Sequence, residues 1–153
     1  MGTEEGGSTI AVRAEVSKVA EIDQLSDAAR QRYGRHDIVV AYAGIELVGR
    51  SATGFDEADF DRPFEVNSRG AIITMQPGAR DVGNGGRIIF VGSRTTAFPM
   101  PGHALYGSSK MAPRFCPPPV AQGMQQPHRV SRGSRTTPRG AVLMARGARR
   151  PRR

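Results

Sequence analysis

The chain has 153 residues with 22 Lys+Arg against 14 Asp+Glu, a length that suits one domain. All acidic residues lie between Glu4 and Asp81, while residues 113–153 hold ten arginines and no acid, so the basic balance belongs to the C-terminal segment rather than to the whole protein. The longest apolar run, Ile38 to Ile45, is eight residues, where a spanning helix needs roughly 20.

The N-terminus is acidic at Glu4 and Glu5, unlike a secretory or transit signal, and Gly6 stands where a myristoylation motif requires Ser or Thr. One cysteine, Cys116, leaves no intramolecular disulfide, and a reducing cytoplasm is the expected compartment.

Ser8 to Ala14 is β-branched and alternating, with Ile10 and Val12 on one face, and reads as a strand. Ser17 is placed to N-cap a helix in which Val19, Ile22, Leu25 and Ala29 recur at three- and four-residue steps, ending at Gly34. Asp37 to Ala43 is a continuous apolar run, the pattern of a strand buried on both faces. Asp56 to Arg62 reads as helix up to Pro63, which opens a further turn. Arg69 to Gln76 reads as helix stopped by Pro77-Gly78. Asn84-Gly85-Gly86 reads as a turn into the buried strand Arg87 to Val91. Phe55, Phe60 and Phe64 recur at near-helical steps, as core residues do.

Alternating strands and helices over residues 8–112 predict an α/β fold with a doubly wound parallel sheet. From Pro113 the pattern ends. Seven of the 11 prolines and ten arginines fall in residues 113–153, which are expected to form a disordered tail.

The chemistry-bearing residues are Ser93, Tyr106 and Lys110. Ser93 follows the third predicted strand, where ligands of open parallel sheets bind. Tyr106 and Lys110 are four apart and share one face of a helix. An ammonium beside a phenol lowers its pKa from ~10 toward neutrality, and such a tyrosine can exchange a proton with an alcohol or carbonyl oxygen. A neighbouring serine hydroxyl can hold that oxygen. Taken alone, Tyr-x-x-x-Lys also describes an ordinary exposed helical pair.

Ser-x12-Tyr-x3-Lys after the Gly-Gly-Arg-Ile-Ile-Phe-Val strand resembles the short-chain dehydrogenase/reductase family. Further landmarks follow the family's order. Phe64-Glu65-Val66-Asn67-Ser68-Arg69-Gly70 is similar to its V-N-x-x-G segment, and Ala43-Gly44-Ile45 to the end of its N-N-A-G-I strand. Ala14-Glu15-Val16-Ser17 is similar to its A-D-V-S strand end, and Pro99, Pro101 and Gly102 fit the loop before its tyrosine.

The resemblance implies a partial Rossmann-like domain over residues 1–112 and hydride transfer between a small-molecule alcohol and a ketone with NADP or NAD as cofactor. Tyr106 would be the general acid/base and Ser93 would orient the substrate oxygen. Lys110 would lower the tyrosine pKa and hold the nicotinamide ribose, and Asn67 would support the lysine through a water-linked relay. Glu15, Val16, Ala43 and Gly44 would line the cofactor together with Tyr106 and Lys110. The family also implies a homo-oligomer.

Departures from the pattern are specific. Glu15 replaces an aspartate, and Ala41 and Tyr42 replace two asparagines. The Gly-rich pyrophosphate turn of the family has no counterpart: Gly2 and Gly6 fail the motif at Ser8, and Gly83, Gly85 and Gly86 fail it at Ile88. The chain is therefore expected to be an internal fragment without the Gly-rich segment and the C-terminal third, with a changed reading frame near residues 113–116, and to be catalytically weak or silent by itself.

His36, His103 and His128 lack metal-ligand spacing, and Cys116 has no catalytic partner in the sequence. A competing reading makes the arginine tail a binder of nucleic acid or anionic surfaces. No aromatic residue follows Phe115, so such binding would be nonspecific and salt-dependent. An inactive scaffold is the third reading.

Overall fold

A computed structural model describes residues 8–116, 129–134 and 142–145. In chain order these form helix α1 (Val19–Tyr33), strand β1 (His36–Ala41), helix α2 (Glu57–Pro63), a π-helical segment (Phe64–Gly70) and helix α3 (Ala71–Asp81). Strand β2 (Val82–Gly92), a 3-10 turn (Arg94–Thr96), helix α4 (Ala104–Met111), a 3-10 turn (Ala112–Phe115) and strands β3 (Arg129–Ser134) and β4 (Val142–Ala145) follow. None of the described helices is long and apolar enough to cross a membrane.

The sheet has the order β3-β2-β1-β4. β1 and β2 run parallel, as their apolar runs predict; β3 also runs parallel to β2, and β4 lies antiparallel on β1. The core joins the sheet to α3 through Val39, Ala41, Ala71, Met75, Val82, Ile88 and Phe90. Gly78 sets the distance between the two layers. A Cβ there would stand 3.0 Å from Ile88 Cγ1 and 3.2 Å from Val39 Cβ, so only a bare Cα lets the helix settle this close.

Several sequence expectations are corrected. Residues 8–14 are not a strand, and Ile10 and Val12 are exposed. A strand exists only through a hydrogen-bonded neighbour, and both sides of β1 and β2 are taken by each other, β3 and β4. Ser17 does not cap α1. Lys18 holds that position without a side-chain bond, while the buried Ser17 hydroxyl is shared between Glu15 Oε1 at 3.3 Å and Glu65 Oε1 at 3.1 Å. Gly34 does close α1, at φ 85°.

Pro77 does not stop its helix: α3 runs through it to Asp81. Proline there removes the N–H that would reach the Ile73 carbonyl, a cost of about 3 kcal/mol. Burial of Pro77 with Met75 against the sheet offsets it. Asn84-Gly85-Gly86 is not a turn either. It lies inside β2, where pairing jumps from His36↔Val82 to Ile38↔Arg87, so the extra residues form an irregularity within the strand. Phe60 is exposed rather than core, stacked on Phe64 with ring centroids 4.3 Å apart. His36 is buried and meets the Ser26 carbonyl at 3.1 Å.

The expectation of a structureless tail meets a mixed outcome. Ala112–Phe115 form a 3-10 turn and two later segments pair as β3 and β4. Backbone pairing needs no apolar surplus, and the open edges of β1 and β2 supply partners. The rest of that segment, including His128, lies outside the described residues.

Candidate active site

The site forms at the carboxyl ends of β1 and β2, and its two halves come from different elements. β2 delivers Ser93, whose extended backbone starts the 3-10 turn while its hydroxyl accepts from the Thr95 amide at 3.3 Å. α4 delivers Tyr106 and Lys110 on one buried face, as the four-residue spacing predicts. Ser93 lies beside Tyr106, near enough to draw the phenol pKa down, while its Oγ meets Thr95 Oγ1 at 2.9 Å.

Lys110 is only 4% exposed. Its ammonium contacts the Ala43 carbonyl at 3.5 Å and stands 6.0 Å from the Phe90 ring centre. Burial lowers its pKa to about 8, and among the described residues it has no carboxylate partner. Gly44 passes directly over this amine. A Cβ at Gly44 would lie 2.5 Å from Lys110 Nζ and 3.1 Å from Asn67 Oδ1.

Asn67 sits in the π-helical segment and is fully buried. Its Oδ1 accepts from the Ile45 amide at 2.8 Å, and its Nδ2 donates to the Ile45 carbonyl at 2.8 Å and to Ser109 Oγ at 2.9 Å. Ser109 Oγ in turn donates to the Tyr106 carbonyl at 2.8 Å, and Ser68 Oγ donates to the Ser109 carbonyl at 2.7 Å. The segment Phe64–Gly70 is thereby bolted to α4 next to Tyr106 and Lys110.

The structure thus brings together Ala43, Gly44, Asn67, Ser93, Tyr106 and Lys110. Glu15 and Val16 are held by other partners. Glu15 receives Ser17 and stands 4.0 Å from Arg62, its amide bonds Glu21, and Val16 packs on Gly70, where a Cβ would meet it at 2.6 Å. Two electrostatic expectations change. The Tyr106 pKa is raised rather than lowered: burial dominates, the Ser93 hydrogen bond works against it, and the Glu46 carboxylate adds to it. Lys110 gives no counterweight, because the same desolvation weakens its own charged form. The Asn67 side chain is engaged with Ile45 and Ser109, which makes it a support for the loop over Lys110.

Sequence reasoning missed Ser68, Ser109 and Glu46. Ser109 carried a usable signal, lying three residues after Tyr106 on the same helical face. The π-helical geometry that aims Asn67 had none.

Residues 1–116 match the family model described as short chain dehydrogenase. The chain belongs to the short-chain dehydrogenase family. A short-chain dehydrogenase/reductase of Pestalotiopsis microspora is 39% identical over 108 residues, which cover 70% of this chain and 40% of that protein. A short-chain dehydrogenase/reductase structure from Serratia marcescens superposes with a TM-score of 0.76 at 30% identity, over 85% of this chain and 54% of that one. A short-chain dehydrogenase from Burkholderia cenocepacia, solved in complex with NADP, gives 0.72 at 31% identity over 80% and 50%. This short-chain dehydrogenase chain spans about 40% of the length of the curated relatives it matches.

Proposed function

We propose that this chain carries the proton-handling and ribose-holding part of an NAD(P)-dependent oxidoreductase that interconverts a small-molecule alcohol and a ketone. The observation that carries the reading is the meeting of Ser93 and Tyr106 beside a buried Lys110 that has no carboxylate partner among the described residues.

The residues present fit the nicotinamide-ribose end of a dinucleotide. Lys110 has three donors and spends a long contact on the Ala43 carbonyl, so it can still donate to ribose hydroxyls together with Tyr106. Gly44 lacks a side chain where one would strike Lys110, leaving a bare backbone wall. Assignment of Glu15 and Val16 to the adenine end rests on the family resemblance alone. The dinucleotide supplies the hydride when bound.

In the reducing direction Tyr106 keeps its proton at neutral pH, since its pKa lies above 10.0. Its hydroxyl donates that proton to the carbonyl oxygen as negative charge develops there. Ser93 holds the same oxygen by donating its one hydroxyl proton to it. Lys110, titrating at about 8, is poised to return a proton to that tyrosinate. Alcohol oxidation needs the tyrosinate at the outset, so it gains with rising pH.

The test is NADPH-linked reduction of an uncharged ketone by the protein and its Tyr106→Phe variant. Whatever turnover the protein shows falls by about 10²–10⁴-fold in the variant, with an unchanged denaturation midpoint. Turnover that survives the substitution overturns the reading.

A further inference from the structure

The turn after β2 is held by a side chain from beyond the end of α4. Arg114, in the 3-10 turn Ala112–Phe115, sends one nitrogen, Nη1, to two acceptors of Thr96: the hydroxyl at 3.0 Å and the carbonyl at 3.3 Å. A guanidinium can only donate, so the Thr96 hydroxyl accepts from Arg114 and turns its own proton elsewhere. It donates that proton to the Ser93 carbonyl at 2.7 Å. The Thr96 amide reaches the same carbonyl at 3.3 Å. Both lone pairs of the Ser93 carbonyl are then taken.

This leaves Ser93 Oγ, 2.9 Å away, as the acceptor for the Thr95 hydroxyl. Ser93 Oγ also accepts from the Thr95 amide at 3.3 Å. With two bonds accepted, its one proton is free for a third group. The opposite direction, Ser93 donating to Thr95, would spend the proton that a bound carbonyl oxygen needs. Ser93 is buried, so its neighbours rather than solvent decide between the two directions. The turn also lies directly against α4. A Cβ on Gly107, next to Tyr106, would stand 3.6 Å from the Thr95 carbonyl and 3.7 Å from its hydroxyl.

Building on the function proposed above, we propose that Thr95 and Arg114 are positioning residues for Ser93. Together they fix its hydroxyl as an acceptor within its own turn and as a donor toward the reacting carbonyl oxygen. Through Thr96, Arg114 ties that turn to the helix carrying Tyr106 and Lys110, so both halves of the site keep one register.

The test is isotope-edited infrared spectroscopy of carbonyl-labelled cyclohexanone bound to the 153-residue protein, with the dissociation constant measured alongside. Donation from Ser93 lowers the carbonyl stretching frequency. Thr95→Val loses most of the lowering that Ser93→Ala loses and binds roughly two- to tenfold more weakly, the scale of one neutral hydrogen bond. Thr95→Ser keeps the native band. Arg114→Met and Thr96→Val move the band in the same sense as Thr95→Val. Arg114→Lys does not, because a single nitrogen makes both contacts and lysine retains one.

A shift in Arg114→Met without one in Thr96→Val assigns the effect to charge and overturns the proposal. A native band in Thr95→Val, a Thr95→Ser variant as impaired as Thr95→Val, or no ketone bound by the native protein each overturns it too. The readout needs no turnover. A band that depends on Thr95 and Arg114, with Tyr106-independent reduction, condemns the proposed function alone. Tyr106-dependent reduction with a band indifferent to Thr95 condemns this inference alone.

Discussion

The side-chain amide of Asn67 acts as a strand partner for Ile45, taking both its N–H and its C=O at 2.8 Å. Ile45 lies in the loop after β1, where no neighbouring strand could satisfy it. The amide does so from a π-helical turn, a geometry often found at functional sites, and a third bond to Ser109 ties the arrangement to α4.

Asn67→Leu keeps much of the volume and loses all three bonds. Two backbone groups of Ile45 then lose their partner, while the Ser109 hydroxyl keeps the Tyr106 carbonyl, and the expected destabilisation is roughly 2–4 kcal/mol. A urea denaturation midpoint equal to that of the native protein would contradict this.

Lys110 makes stability depend on pH in a defined direction. Its folded pKa, about 8, lies below the ordinary 10.5, so the folded state binds fewer protons than the unfolded chain between those values. Stability attributable to this group is full above pH 10.5 and is lost as pH falls through 8, a change of roughly 3 kcal/mol. Tyr106 acts oppositely, but only above its ordinary pKa of 10.0. Denaturation series from pH 7 to 10 should show native stability rising, with a flatter profile in Lys110→Met. Parallel profiles would refute the burial argument.

Gly78 and Gly34 offer a matched comparison. Gly78→Ala pushes a methyl into Ile88 and Val39 at the helix–sheet contact and should cost about 1–3 kcal/mol. Gly34→Ala meets nothing within 4 Å, and its cost is conformational, about 1–2 kcal/mol for φ 85°. Ile88→Val removes only the Cδ1 contact at 3.2 Å, so it should relieve part of the Gly78→Ala cost and none of the Gly34→Ala cost; identical responses would contradict the packing account.

What was legible in the sequence follows from which forces are local. The α1 stripe, the Gly34 stop and the apolar runs of β1 and β2 all express short-range periodicity, and the structure keeps them. The Tyr106–Lys110 face was readable for the same reason. Residues 8–14 have strand composition, yet strand formation is decided by a neighbour elsewhere in the chain. Pro77 is a local helix breaker whose effect is overridden by burial against the sheet. Ser17 looks like a cap until Glu65, distant in sequence, takes its hydroxyl. The tyrosine pKa was misjudged because spacing gives the proximity of an amine but not the desolvation that weakens both groups. β3 and β4 were hidden because each is a short segment whose pairing depends on an open edge elsewhere in the chain, which local composition does not show.

The measurement that bears most directly on the central claim is a fluorescence titration of NADPH with the 153-residue protein and with Lys110→Met. Saturable binding that weakens at least tenfold in the variant is the predicted result, since Lys110 is assigned to the ribose. No saturable binding, or equal affinity in the two proteins, would contradict the assignment of this cluster as a nicotinamide-nucleotide site.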